Sequence, residues 1–355
     1  MALPTTYLAA LILSIVTMLC WGSWANTTKM TGSKWRFELF YYDYSLGVLL
    51  CAVVAAVTFG SYGGGDGITF LDNLTIVGRR QLFWVVVGGL VFNVANMLLV
   101  AAISVGGMAV AFPIGIGLAV VIGTAWSYTI HPTGNAGMLF GGVGILILAI
   151  LIAAAAYRGL LMQREIEELQ RAAQQGVKGR KPVRQPKWKA IVLSLVSGVF
   201  MGSFYPLVEW GRFGDIEMGP YPIGFVFAIA VFLSTPVVNL FFLNLPVEGE
   251  PIAFSAYFRG TGRQHCYGVL GGFVWATGTI CNFLSASSPP EIHLGPAASY
   301  ALGQGATLIS TLWGLLIWKE FRGAPDRSRT LIYATIPIYA IALGLIAMSP
   351  LYSSK

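Results

Sequence analysis

Ten apolar runs follow one another along this chain, at 7–27, 38–60, 82–103, 107–130, 136–157, 188–208, 221–243, 266–287, 294–318 and 330–349. Each is as long as the roughly 20 residues a helix needs to cross hydrocarbon. They are apolar on every face rather than alternating, so they predict membrane-spanning helices and exclude a β-barrel. From Gln81 to Tyr157 there is no Asp, Glu, Lys or Arg, and only Gly106-Gly107 and the segment His131 to Asn135 interrupt the apolar sequence. Re-entrant backbone within 82–130 is compatible with this pattern. The expected fold class is an all-α polytopic membrane protein.

Composition sharpens that reading. Of 355 residues, 56% are hydrophobic and 10% charged, against about 25% charged in a soluble domain. With a mean hydropathy of +0.71, the chain cannot clothe a water-facing surface, which excludes a soluble enzyme or nucleic-acid binder. The net charge of +7 resides beside the apolar runs. Loops after odd-numbered runs hold 18 of the basic residues; Arg79, Arg80, Arg212 and Lys355 are the 4 on the other side. The positive-inside rule then places odd-run loops in the cytoplasm and both termini outside the cell membrane. The start, MALPTTYLAALIL, lacks a basic n-region and reads as the first span, not a signal peptide.

The segment 158–187 is the one soluble-looking piece and is expected to be a cytoplasmic linker. Residues 160–175 are helical in pattern, with Arg164/Glu168 and Glu167/Arg171 at i,i+4. The basic stretch 176–187 is suited to anionic lipid, and no GxxxxGK[ST] loop occurs. Cys20, Cys51, Cys266 and Cys281 match no metal spacing and are expected to be buried thiols. No metal site, cofactor motif or catalytic set is expected; His131, His265 and His293 are scattered.

The two halves repeat. LSIVTMLCWGSW (13–24) aligns without gaps with LSLVSGVFMGSF (193–204), GGLVF (88–92) resembles GGFVW (271–275), and Gly115/Gly117 occupy the place of Gly303/Gly305. Units 1–157 and 188–355 would each hold five spans. An odd number forces the second unit to enter the membrane from the opposite side, giving two inverted repeats with a solute site between them. Such paired bundles can rock, which is a transporter architecture.

WGSWANT (21–27), WRFELFYYDYS (35–45), VVIGTAWSYTI (120–130) and YALGQGATLISTLWGLLIWKEF (300–321) resemble the ureide permease family, within the drug/metabolite transporter superfamily beside the glucose/ribose and rhamnose uptake families. The resemblance implies ten helices in two inverted five-helix repeats. It also implies proton-coupled uptake of a small polar metabolite such as allantoin or uracil. Plant members carry a longer central segment with a nucleotide-binding-like motif, which is absent here. Sugar uptake, or export of drugs or metabolites, are the alternatives within the same fold.

Ionisable groups are costly in a bilayer and are functional candidates by default. Glu38 and Asp43 open the second run and Glu209 closes the sixth; these are the proton-coupling candidates. The simpler expectation for Asp43 is an interfacial pair with Arg36 or Lys34. Glu291 and His293 are expected in an exterior loop. No run has a central carboxylate, which argues against an exporter of hydrophobic cations. The substrate-binding candidates are Trp21, Trp24, Asn26, Tyr41, Asn96, Trp275, Asn282, Tyr300 and Gln304, among which Asn96 and Gln304 rank first because amides deep in charge-free spans most need partners. Amides match the donors and acceptors of a ureide or nucleobase, and flat rings stack on a flat heterocycle or a sugar face. Such side chains also join helices to one another in membranes. Paired glycines favour close helix approach. Pro113, Pro206, Pro222 and Pro236 are expected to bend their spans.

Overall fold

The computed structural model of the protein describes residues 1–32, 35–62, 68–106, 108–174, 187–244, 250–288 and 294–352. Lys34, Gly107, residues 175–186, Glu291, His293 and Lys355, considered above, lie outside the described residues. Among the described residues, ten helices are long and apolar enough to cross a membrane. They are span 1 (Tyr7–Met30), span 2 (Phe37–Val57), span 3 (Arg79–Ile103), span 4 (Pro113–Ile130), span 5 (Ala136–Arg171), span 6 (Trp188–Arg212), span 7 (Pro220–Asn244), span 8 (Gly262–Ala286), span 9 (Gly295–Ile317) and span 10 (Asp326–Tyr352). A helix satisfies its own backbone groups, which lipid cannot do. Leu8, Val54, Leu233, Val237 and Leu316 are exposed, a costly arrangement in water that hydrocarbon accepts.

The observed spans match the ten runs to within a few residues, with two adjustments. Span 5 continues as one helix to Gln174, so the start of the linker extends the membrane helix. Span 4 opens at Pro113, inside a π-helical turn at Phe112–Ile116 that follows a separate short helix at Met108–Ala111. Proline cannot donate a backbone hydrogen bond, and a widened turn accommodates that loss. Pro206 and Pro236 are inside helices as expected. Pro222 is in the first turn of span 7, where its missing N–H has no intrahelical partner to lose. Of the four free cysteines only Cys51 is fully buried. Cys266 is exposed, because the first turn of span 8 carries it to the edge of the bundle.

Two spans are interrupted. Span 1 breaks at Trp24-Ala25 and span 9 at Gln304-Gly305. At both points the backbone tightens to i+3 bonds, Thr27 N to Trp24 O at 3.0 Å and Gly305 N to Leu302 O at 2.9 Å. The Trp-Gly-Ser-Trp and Gly-Gln-Gly segments of the sequence are therefore places where regular helix gives way.

The principal packing pairs are spans 3 and 6, 1 and 8, 2 and 8, 3 and 7, 4 and 6, 1 and 9, 2 and 7, 4 and 9, and 5 and 10. This set is unchanged when every span is exchanged with the one five places along, which is consistent with two related five-helix units. Glycines carry the correspondence to the atomic level. A side chain at Gly22 would strike Ile309 and the Ala306 carbonyl of span 9; one at Gly202 would strike Ile122 and the Ala119 carbonyl of span 4. Gly89 abuts the Phe227 carbonyl of span 7, and Gly272 abuts the Tyr44 carbonyl of span 2. Small residues let helices approach closely where lipid supplies no hydrophobic drive. Spans 5 and 10 pack mainly on each other through Leu146, Ile150, Tyr339 and Ile346, leaving spans 1, 3, 6 and 8 at the centre.

Candidate functional site

A cavity of about 300 Å³ lies among these central spans. Span 1 contributes Trp21 and Trp24, span 3 Phe92 and Asn96, span 6 Met201 and Phe204, span 8 Trp275, and span 9 Gln304, Thr307 and Ser310. Both helix breaks face it. Trp275 stacks on Phe92 with ring centroids 4.3 Å apart and planes 24° from parallel, and Trp21 is stacked with Trp275 at 6.3 Å. The Trp21 indole N–H donates to Thr279 Oγ1 at 3.1 Å, which fixes the plane of that ring. Phe92 and Trp275 end the repeated segments GGLVF and GGFVW, so the repeat brings its own two copies into contact.

The cavity wall carries no charged side chain among the described residues. Its polar groups are neutral, and two are underused. Asn96 donates its amide to the Tyr41 hydroxyl at 3.2 Å, and its carbonyl oxygen has no hydrogen-bond partner among the described residues. The Gln304 side-chain amide likewise makes no hydrogen bond there, because the helix break presents it to the cavity. Unpaired amides in a nearly buried site cost free energy unless water or a solute meets them. Flat aromatic walls with free amide donors and acceptors suit a small, neutral, polar and planar solute.

From this floor the cavity extends past Thr28, Phe37, Ile103 and Ile116, toward the loops that follow odd-numbered spans. The opposite side is sealed. Phe227, Phe283, Tyr205 and Tyr300 are buried there in mutual ring contact, and behind them Glu209 and Arg212 form an ion pair at 2.9 Å with side-chain exposures of 0% and 1%. Arg212 also donates to Ser287 and to the Phe283 carbonyl of span 8.

Of the nine binding candidates, the fold brings Trp21, Trp24, Asn96, Trp275 and Gln304 to the cavity. Tyr41 stands behind Asn96. Asn282 is turned to Ser299, donating to its carbonyl and hydroxyl at 2.9 and 3.0 Å. The Tyr300 hydroxyl donates to the Ala119 carbonyl at 3.3 Å, joining spans 9 and 4. Asn26 accepts from the Trp318 indole at 2.6 Å and borders a separate cavity of about 140 Å³ reaching spans 5 and 10. Phe92, Phe204, Met201 and Thr307 were not singled out in the sequence. The repeat held the signal for Phe92, as the counterpart of Trp275.

The three candidate acids have different partners. Glu38 pairs with Arg36 near the start of span 2. The Asp43 carboxylate meets His265 Nδ1 at 2.8 Å and accepts from the Tyr257 hydroxyl at 2.6 Å, where an interfacial pair with Arg36 or Lys34 is the simpler expectation; Arg36 bonds Glu38, and Lys34 lies outside the described residues. Burial, and then the bond to Asp43, hold the Tyr257 hydroxyl above the usual phenol range. Glu209 holds Arg212 as described.

The sequence profile of the family described as Ureide permease matches residues 40–181 and 191–349. The chain belongs to the ureide permease family. Among similar proteins, ureide permease 1 of Arabidopsis thaliana is 25% identical over 388 residues, 96% of each chain. Ureide permease 2 of the same plant is 23% identical over 394 residues, again 96% of each. A crystal structure of another protein shares the fold, with a TM-score of 0.55 at 14% identity over 95% of this chain and 97% of that one. Membership of a permease family, with ten apolar helices, makes this a multi-pass membrane transporter rather than an enzyme. Within the ureide permease family resemblance, the Trp-Gly-Ser-Trp and Gly-Gln-Gly segments are the helix breaks that face the cavity.

Proposed function

We propose that this ureide permease family member imports a small neutral polar metabolite, a ureide or nucleobase such as allantoin or uracil, in symport with protons. The observation that carries the reading is the uncharged cavity in which the Gln304 amide and the Asn96 carbonyl oxygen stand beside Trp21, Phe92 and Trp275. A charged solute would find no counter-charge there, whereas a flat ring bearing amide N–H and C=O groups would satisfy both side chains and stack on the indoles. The names of the relatives agree in substrate class.

Units 1–157 and 188–355 act as two inverted five-helix bundles joined by the linker 158–187. The excess of basic residues places that linker in the cytoplasm and both termini outside. The cavity is then open inward and sealed outward, one of the two states that rocking bundles exchange.

The test is uptake of radiolabelled allantoin, uracil and glucose by cells expressing the full chain, with and without a protonophore. Protonophore-sensitive accumulation of allantoin or uracil is expected. Gln304→Ala and Asn96→Ala should each weaken apparent affinity by up to about tenfold, the scale of one hydrogen bond. Accumulation of glucose alone, or outward movement of all three, would sink the reading.

A further inference from the structure

We propose that Asp43 and His265 together form the site that binds the coupling proton, with Tyr257 as its positioning partner. This rests on the symport reading above and assigns it to residues. Asp43 is on span 2 and His265 in the first turn of span 8, so the pair joins the two five-helix units. Tyr257 comes from a third segment, the short 3₁₀ helix Phe254–Arg259. The contact beneath the pair is unusually close: side chains at Gly47, Gly268 or Gly272 would overlap the Val269 carbonyl, the Asp43 Cβ and the Tyr44 carbonyl respectively. Any rocking of one unit against the other must act on this contact.

The acids differ in what neutralises them. Glu38 is paired with Arg36, Glu209 with Arg212, Glu320 with Lys29 and Asp326 with Arg329. Protonating any of those carboxylates leaves a fixed cation behind. Among the described residues Asp43 forms its ion pair with histidine alone, the side chain whose charge commonly changes near neutral pH. The Asp43–His265 pair can therefore gain or lose one proton without stranding a permanent charge.

Proton balance follows from the two states. With the imidazole neutral, its Nδ1–H and the Tyr257 hydroxyl both donate to the carboxylate, and the pair carries one negative charge. One further proton, taken at Nε2, makes the pair neutral overall. A net charge within the membrane opposes movement of the groups that bear it, so loading the proton frees the contact between spans 2 and 8. Nε2 lies against Gly260 at the loop end of the span, and the His265 side chain is 28% exposed while that of Asp43 is 4%. The imidazole is thus the more accessible member of the pair to an incoming proton. Among the described residues, the other titratable groups lining the same lateral groove are Tyr257 and Cys266; Arg263 is turned to the ring of Tyr267.

The experiment compares wild type with Asp43→Asn, His265→Gln and Tyr257→Phe in cells expressing the full chain, using radiolabelled allantoin or uracil, whichever wild type accumulates. Two readouts are taken: accumulation driven by an inward proton gradient, and counterflow of labelled against unlabelled solute, which needs no net proton movement. Asp43→Asn and His265→Gln should lose gradient-driven accumulation by about tenfold or more while retaining counterflow, a scale typical of a coupling between two sites. His265→Gln should also flatten the pH dependence of accumulation between about pH 5 and 8, and Tyr257→Phe should shift it. Wild-type protonophore sensitivity in both Asp43→Asn and His265→Gln overturns the proposal. So does joint loss of accumulation and counterflow in Asp43→Asn and in the charge-preserving Asp43→Glu, which would make the pair a packing element. Insensitivity of the wild type to protonophore defeats the symport reading itself, before any variant is considered.

Discussion

Asp43 and Glu209 are both carboxylates withdrawn among membrane helices, yet they are neutralised in opposite ways. Glu209 faces a guanidinium three residues along its own helix, on the sealed side of the cavity, and both side chains are fully enclosed. Asp43 faces an imidazole and a phenol from two other segments, beside a groove that reaches the bundle surface. A permanent cation makes the first pair a lock, because either charge alone would be buried and unpaired. In the second, as proposed above, the partner carries no permanent charge. Under the proposal above, the same carboxylate group serves closure in one place and exchange in the other, according to what stands opposite.

The comparison can be broken most forcefully at the lock. Glu209→Gln strands Arg212 and should cost about 3–5 kcal/mol of stability, read as a large fall in melting temperature in detergent. Adding Arg212→Met should recover much of that loss, since an apolar side chain of similar volume needs no counter-charge. A melting temperature unchanged by Glu209→Gln would show that the pair is not closed to water. Gly272→Val comes next. It forces spans 2 and 8 apart at the Tyr44 carbonyl, at about 1–3 kcal/mol for an overpacked contact, and should disturb Asp43–His265 while leaving Glu209–Arg212 in place. Gradient-driven accumulation falling further than thermal stability would bear this out.

Asp43→Asn should be milder in stability than Glu209→Gln, about 0.5–1.5 kcal/mol, because it forfeits hydrogen bonding without leaving a fixed charge behind. If it melts as low as Glu209→Gln, the contrast between lock and exchange site fails. Glu38→Gln should be the smallest, about 0.2–1 kcal/mol, as a partly exposed pair with Arg36 is screened and conformationally costly to hold. A thermal shift series across these four variants would rank them directly.

Much of the lining of the candidate cavity was legible before the fold. Trp21, Trp24, Asn96, Trp275 and Gln304 were named from polarity and aromatic character inside charge-free runs, and all five reach the cavity. Asn26, Asn282 and Tyr300 have the same character but bond to neighbouring helices. Sequence cannot separate the two groups, because an amide that meets a solute and one that joins helices look alike in a single chain. His265 and Tyr257 gave no sign of meeting Asp43: they are 222 and 214 residues away from it. The histidines read as scattered because their relation exists only across the contact of spans 2 and 8.

The sequence by itself determined the number of spans, their approximate limits, the uneven distribution of basic residues and the likeness between segments of the two halves. Each of these depends on sums over about 20 neighbouring residues, or on likeness between segments, and the cost of exposing backbone to lipid leaves helix as the outcome. Only the tertiary structure decided which face of each helix turns inward. In water that face is marked by its hydrophobicity, but in a bilayer the lipid-facing and protein-facing sides are both apolar, so the mark is erased. Helix rotation was settled instead by small-residue contacts such as Gly47, Gly89 and Gly272. Those contacts fixed which acid met a histidine and which amides were left facing the cavity, whereas the acid–arginine pairs Arg36–Glu38, Glu209–Arg212 and Asp326–Arg329 are local in sequence.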